Sequence, residues 1–162
     1  MSKVDLYHTN DMELIRGFML KDEIWETSVE DVTIKDNFYP GQDTLSVWLL
    51  AKIKNDLIGV LLVNHSSSCA VDIHPYLLKQ HKKHGRDLIK SFFKWFLSLP
   101  DDLCKVNCSI PDHLKIVQNF ALKVGFKQEG INKASFMYNG KAQDQKRYGL
   151  TREEIKGLLC QD

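Results

Sequence analysis

The chain has 162 residues, 43% hydrophobic and 27% charged, with a formal net charge of +1. That length suits one domain, residues 1–162, with a core of its own. The near-neutral charge excludes a global field for nucleic acid or anionic lipid, and no run of about 18 apolar residues offers a membrane-spanning helix.

The start, Met1-Ser2-Lys3-Val4-Asp5, lacks the apolar stretch of a secretory signal, so a cytoplasmic location is expected. Val4 to His8 alternates as a first strand. Asn10-Asp11 can cap a helix whose apolar stripe is Leu14, Ile15, Phe18 and Met19. A second helix is expected over Lys21 to Asp31, with Ile24, Trp25 and Val29 inward. Asp36 to Asp43, holding Pro40-Gly41, reads as a loop.

Leu45 to Lys54 and Leu57 to His65 are strand-like and joined by Asn55-Asp56, which predicts a hairpin. Ser66 to Ser68 turns the chain into a third strand, Cys69 to His74. A basic loop follows, and then a long helix with Leu88, Ile89, Phe92, Phe93 and Phe96 on one side, stopped by Pro100. Lys105 to Ile110 is a strand. Pro111-Asp112 is expected to open a helix whose buried stripe is Ile116, Val117, Phe120, Ala121 and Val124, with Gly125 after its end. Phe126 to Gly130 and Ala134 to Tyr138 read as two strands, Asn139-Gly140 as a turn, and Thr151 to Glu154 as the capped start of a terminal helix. The order β-α-α-β-β-β-α-β-α-β-β is α+β, with one crossover helix after an antiparallel meander.

The four cysteines, Cys69, Cys104, Cys108 and Cys160, form no Cys-x-x-Cys pair and have no His partners at close spacing. They read as reduced thiols, mostly small core fillers, with no metal site. The stretch with most chemical content is Val71 to Arg86. A β-branched run meets Pro75, and Lys79, His81, Lys82, Lys83, His84 and Arg86 crowd the entrance to the long helix. A helix N-terminus carries unpaired amides and partial positive charge, so this arrangement suits an anionic ligand.

Those segments resemble the GNAT superfamily of acyl-CoA-dependent N-acetyltransferases along roughly the whole chain. Val71-Asp72-Ile73-His74-Pro75 followed by Gln80-His81-Lys82-Lys83-His84-Gly85 looks like the family's first cofactor segment, a strand followed by Gln/Arg-x-x-Gly-x-Gly/Ala. Gly85 keeps the last glycine, and Lys83 stands where the first is usual. Phe120-Ala121-x-Lys123-x-Gly125-Phe126-Lys127-x-Glu129-Gly130 looks like the second segment. With Ser135-Phe136, Asn139-Gly140, Asp144-Gln145 and Gly149 to Arg152, the chain further resembles GNAT-like proteins encoded by tailed bacteriophages. That implies a bacterial host cytoplasm, or a virion, as its place.

The resemblance implies a GNAT-like fold, a mixed and mostly antiparallel sheet flanked by helices, and acetyl-CoA as co-substrate. The amides of Lys82, Lys83, His84, Gly85 and Arg86 would cradle the diphosphate, with Gln80 at the loop entrance. An amide near Ile73 would polarise the thioester carbonyl, and Asn119 and Lys123 would contact the cofactor from the second helix. Asp72 and His74 share one strand face, and His74 has the ordinary pKa of a general base. Both residues equally suit a role in orienting the loop. The tyrosine that usually supplies the leaving thiolate's proton is replaced by Ala121, and Tyr138 or Tyr148 is left to take its place. Trp25, Phe38, Tyr39, Phe136 and Tyr138 are candidate cleft aromatics, and Glu23, Glu26, Glu30 and Asp31 candidate attractors of an amine. Two functions follow from this. One is an N-acetyltransferase acting on a small molecule or protein amine, of phage or host. The other is a GNAT-fold protein with a binding or assembly role. Nucleic acid is disfavoured by the charge balance, and a membrane by the hydropathy.

Overall fold

The structure, a computed structural model, describes residues 3–41 and 44–161. Gln42 and Asp43 of the expected loop, and the first two residues, lie outside the described range. Seven strands form one sheet in the order β1-β2-β3-β4-β5-β7-β6. They are β1 Asp5–Thr9, β2 Ser46–Ile53, β3 Asp56–Ser67, β4 Ala70–Leu77, β5 Lys105–Pro111, β6 Lys127–Tyr138 and β7 Lys141–Thr151. Five α-helices accompany them: α1 Met12–Met19, α2 Asp22–Ser28, α3 Gly85–Leu97, α4 Lys115–Lys123 and α5 Arg152–Cys160. Every strand pair is antiparallel except β4 with β5. The expected meander is β2-β3-β4, and α3 is the crossover that makes β5 parallel.

Alternation puts two cores on the two sheet faces. Leu61, Val63, Val71, Ile73, Val106 and Leu150 pack with Leu88, Ile89, Phe92, Phe93 and Phe96 of α3 and Ile155 of α5. Each such side chain contributes about 1.5–3 kcal/mol of burial free energy. On the other face, Trp48, Leu50 and Val60 pack with Met12, Ile15, Phe18 and Met19 of α1 and Ile24 of α2. The side chain of Asp11 caps α1 by accepting from Leu14 N–H at 3.0 Å. Thr151 and Glu154 cap α5 reciprocally, as their spacing predicts.

Six expectations change. Helix α2 stops at Ser28 rather than Asp31, because the Ser28 and Thr27 hydroxyls donate to Ile24 O and Val29 turns extended. Pro111 ends β5, paired with Gln145, and does not open α4. The α4 stripe is also rotated: Gln118 and Ala121 are buried, while Ile116 is 85% exposed. Buried Gln118 donates to Pro111 O at 3.1 Å, and Phe120 lies over Gly85, which together fix that rotation.

The two expected strands after Gly125 are one bulged strand, β6, with Ala134 at φ 47° in its second irregularity. After the Asn139-Gly140 turn comes β7, which the sequence reading missed. Finally, Cys108 is the only buried thiol among the four cysteines, and Cys69, Cys104 and Cys160 are exposed rather than core fillers. All four are unbridged. No helix among the described residues is long and apolar enough to cross a membrane.

Candidate active site at the strand fork

Strands β4 and β5 run side by side for three residue pairs: Ala70 with Lys105, Val71 with Val106 and Asp72 with Asn107. From Ile73 to Leu77, β4 pairs only with β3, and from Cys108 to Pro111, β5 pairs only with β7. The sheet therefore opens into a fork whose vertex is Asp72. Pro75 sits on this unpaired edge, where a missing N–H costs no ladder bond to β5.

Directly paired residues share a face. Asp72, His74, Ser109 and Arg147 accordingly project together on the α1–α2 side, and Val71 and Ile73 project into the α3 core. Arg147 Nη1 donates to Ser109 Oγ at 3.2 Å. Its Nη2 stands 3.9 Å from Asp72 Oδ1, too far for a hydrogen bond. Asp72 Oδ1 is buried and has no hydrogen-bond partner. Burial holds His74 below the ordinary imidazole pKa, and the Asp72 charge opposes that shift. His74 is thus neutral at pH 7, the form that accepts a proton.

Burial also raises the Tyr76 hydroxyl to about 12 and the Cys108 thiol to about 12, so neither ionises near neutrality. The shared face of Asp72 and His74 was legible from alternation in the sequence. Ser109 and Arg147 were missed, because their strand partnership is visible only once β7 is recognised.

The basic stretch is ordered rather than a loop. Lys79–His84 is a 3-10 helix leading straight into α3. Its amides are partly spent: His81 N–H donates to Leu78 O at 2.8 Å, and Gly85 N–H donates to Lys82 O. The Lys79 N–H goes to the Glu23 carboxylate at 2.6 Å. Gly85 has ordinary helical φ; what needs glycine there is close approach, since a Cβ would stand 3.2 Å from Phe120 Cζ. A cleft of about 680 Å³ is lined by Gln80, His81, Lys83 and His84 with Asn55 and Asp56 of the β2–β3 turn. A second, of about 590 Å³, lies on the other side of Gln80 against Lys21 and Glu23. Lys82, Lys83 and Arg86 are exposed, as are Asn119 and Lys123 on α4.

The candidate cleft aromatics separate. Trp25 and Phe38 meet edge to face at 5.2 Å. Tyr39 is exposed and donates its hydroxyl to Glu13. Tyr138 lies flat on His113, ring centroids 3.8 Å apart, with Phe136 at 5.9 Å from the same imidazole. Gln143 Oε1 accepts from the His113 amide at 3.2 Å and from its Nδ1 at 2.9 Å, which leaves Nε2 bare in the neutral ring. Tyr148 is buried in the α3 core. Three of the four candidate acids bind backbone. Besides Glu23, Glu30 accepts from Met137 N–H at 2.8 Å and Asp31 from Gly140 N–H at 2.7 Å. Among the described residues, no group of three or more His, Cys, Asp or Glu side chains could hold a metal ion.

No protein-family model matches the chain, and no curated protein matches it in sequence. Solved structures do match in shape. Spermidine N-acetyltransferase from Vibrio cholerae in complex with CoA and spermine is 17% identical, with TM-score 0.74, covering 96% of this chain and 99% of that one. The spermidine/spermine N-acetyltransferase SpeG from Vibrio cholerae in complex with manganese ions is 15% identical, with TM-score 0.75 and 96% of each chain covered. A chimera of that enzyme with hSSAT, carrying the K23-Q34 exchange, is 17% identical with TM-score 0.78, covering 96% of this chain and 99% of that one. At such identity the likeness speaks for architecture: the chain has the GNAT fold, α+β, with a forked seven-stranded sheet.

Proposed function

We propose that this chain is an acetyl-CoA-dependent N-acetyltransferase acting on an amine of a small molecule or protein. The observation that carries the reading is the fork. Strands β4 and β5 part at Asp72, and the edge so freed leads to a basic helix entrance. The pantetheine arm would lie along β4 from Ile73. The diphosphate would meet Lys82, Lys83, His84, Gly85 and Arg86, with Gln80 between the two clefts and Asn119 and Lys123 approaching from α4. Because the amides of His81 and Gly85 are already bonded, the lysine and arginine side chains supply most of the charge. The CoA complex of a structural neighbour supports the same ligand here.

In the reaction, neutral His74 takes a proton from the acceptor ammonium, and Asp72 stabilises the imidazolium formed. The free amine attacks the thioester carbonyl, the N–C bond forms and the C–S bond breaks. The departing thiolate takes a proton, which we assign to Tyr138 at the end of β6, since Ala121 offers none and Tyr148 is enclosed by core; the phenolate is restored by the second proton shed from the new amide nitrogen, and His74 returns its proton to solvent. The likeness to bacteriophage proteins rests on sequence segments alone, and it suggests a phage or host amine as acceptor.

Calorimetric titration with acetyl-CoA, followed by thiol release over an amine panel that includes spermidine, tests this reading. Lys82→Glu with Lys83→Glu should weaken binding by about 10- to 100-fold, less at high salt. Absence of acetyl-CoA binding overturns the reading. Buried Ala121 and the bonded Gly85 amide favour a second reading, a non-catalytic GNAT-fold protein with a binding or assembly role. That one predicts no turnover of any amine.

A further inference from the structure

The polar group at the vertex of the fork is built for more than a proton relay. Arg147 reaches it from β7, and its side chain is 43% exposed. Of its five donors, one meets Ser109 Oγ, and the nearest carboxylate oxygen stands off at 3.9 Å. Asp72 is also incompletely paired. Its Oδ1 accepts no hydrogen bond, and a quarter of its side chain remains exposed. A guanidinium and a carboxylate thus lie side by side on the α1–α2 face of the sheet, each with bonding capacity unused.

A polycation is a poor match for this surface. The cation fixed beside Asp72 is Arg147, and like charges at short range repel. The row of acids on the α2 side is committed elsewhere. Glu23 holds the Lys79 amide, Glu30 the Met137 amide and Asp31 the Gly140 amide, so these carboxylates tie backbone together.

A group carrying both charges on neighbouring atoms matches well. In an α-amino acid the ammonium nitrogen and the nearer carboxylate oxygen are about 3 Å apart, by standard N–Cα and Cα–C lengths. Arg147 Nη2 stands 3.9 Å from the buried Asp72 Oδ1, so the exposed remainder of the same carboxylate and the guanidinium lie within reach of one such group. We infer that the acceptor is an α-amino carboxylate, its carboxylate held by the Arg147 fork and its ammonium by Asp72 beside His74. Arg147 is then the specificity-determining residue of the site. The inference rests on the acyl-transfer reading above.

The test is acetyl-CoA-dependent thiol release, with product identified by mass spectrometry, over the standard amino acids, their α-amides, spermidine and spermine. At least one free amino acid should turn over faster than its own amide and faster than either polyamine. Arg147→Met should raise KM for that amino acid by about 10- to 100-fold, with a smaller change in kcat and little change for its amide. Arg147→Lys should recover part of the loss, since charge returns without the fork. If the Met variant does not fold, the acid-against-amide comparison on the native protein decides.

Preferred turnover of polyamines, or an unchanged KM in folded Arg147→Met, overturns the inference and leaves acyl transfer standing. A protein that binds acetyl-CoA and acetylates none of these amines overturns the inference alone, and one that does not bind acetyl-CoA overturns the reading beneath it.

Discussion

Replacing Arg152 by methionine tests whether one buried guanidinium anchors the far end of α3, the helix whose near end carries the basic entrance. The side chain is almost fully buried. Its Nη2 donates to Leu97 O and Leu99 O at 2.8 Å each, and its Nη1 to Leu103 O at 3.1 Å. Two longer contacts, 3.4 Å each, reach Phe96 O and Pro100 O. These carbonyls lie at the end of α3 and in the turn behind it, where the helix no longer supplies i+4 amides; Phe96 O and Pro100 O also accept from the Leu99 and Leu103 N–H groups. The stem packs over the Phe96 ring, with the guanidinium carbon 5.3 Å from its centroid.

Methionine keeps the stem and removes the donors. Three good charge-assisted bonds are lost, at about 1.5–3 kcal/mol each taken singly. They are not additive, and the native protein also bears the cost of burying the charge. The expected net loss is about 3–5 kcal/mol. The salt bridge to Asp101 adds little, because Asp101 is exposed. For a chain of this size that loss corresponds to a fall in Tm of about 10 °C. Differential scanning calorimetry reads it directly, and urea titration gives the free energy. Arg152→Lys, with one point charge in place of a fork, should fall between the two. A Met variant melting within about 2 °C of the parent would mean that the carbonyls find water and that the buried fork is not what secures the helix.

Other outcomes follow from single sites. His74 has its folded pKa lowered by burial, so the stabilisation tied to its neutral form is present above the unfolded histidine pKa and is lost as pH falls through the folded value. The acidic limb of kcat/KM should accordingly lie below the ordinary histidine range. Asp72→Asn removes the opposing charge and should move that limb to lower pH; a limb that moves upward refutes the pairing. Gly125 sits at φ 105°, and a Cβ there would stand 2.5 Å from Leu158 Cδ1, so Gly125→Ala should cost about 1–3 kcal/mol in urea unfolding. Gly17→Ala, in open space on the exposed side of α1, should instead gain about 1 kcal/mol, and equal effects at the two glycines would discredit the geometry. In thiol titration of the native protein at pH 8, Cys69, Cys104 and Cys160 should react promptly and Cys108 only after denaturation, because burial keeps it protonated.

The amino-acid sequence by itself determined the β2-β3-β4 meander, the crossover helix and the shared face of Asp72 and His74. These are local matters: strict alternation, short turns and a five-residue apolar stripe on α3 leave one arrangement that buries them. It could not place Ile116 and Val117 outward, because periodicity names a helix but not its rotation, and a Gln118 bond to Pro111 O decided that. Nor did it reveal β7. Lys141 to Arg147 is polar on both faces, so no hydrophobic alternation marks it, and only pairing with β6 and β5 makes it a strand. Arg147 therefore meets Asp72 across a distance of 75 residues in the chain (147 less 72). Long-range pairing, rather than any motif, assembled the vertex of the fork, because hydrogen bonds between distant strands are satisfied only once the sheet has closed around them.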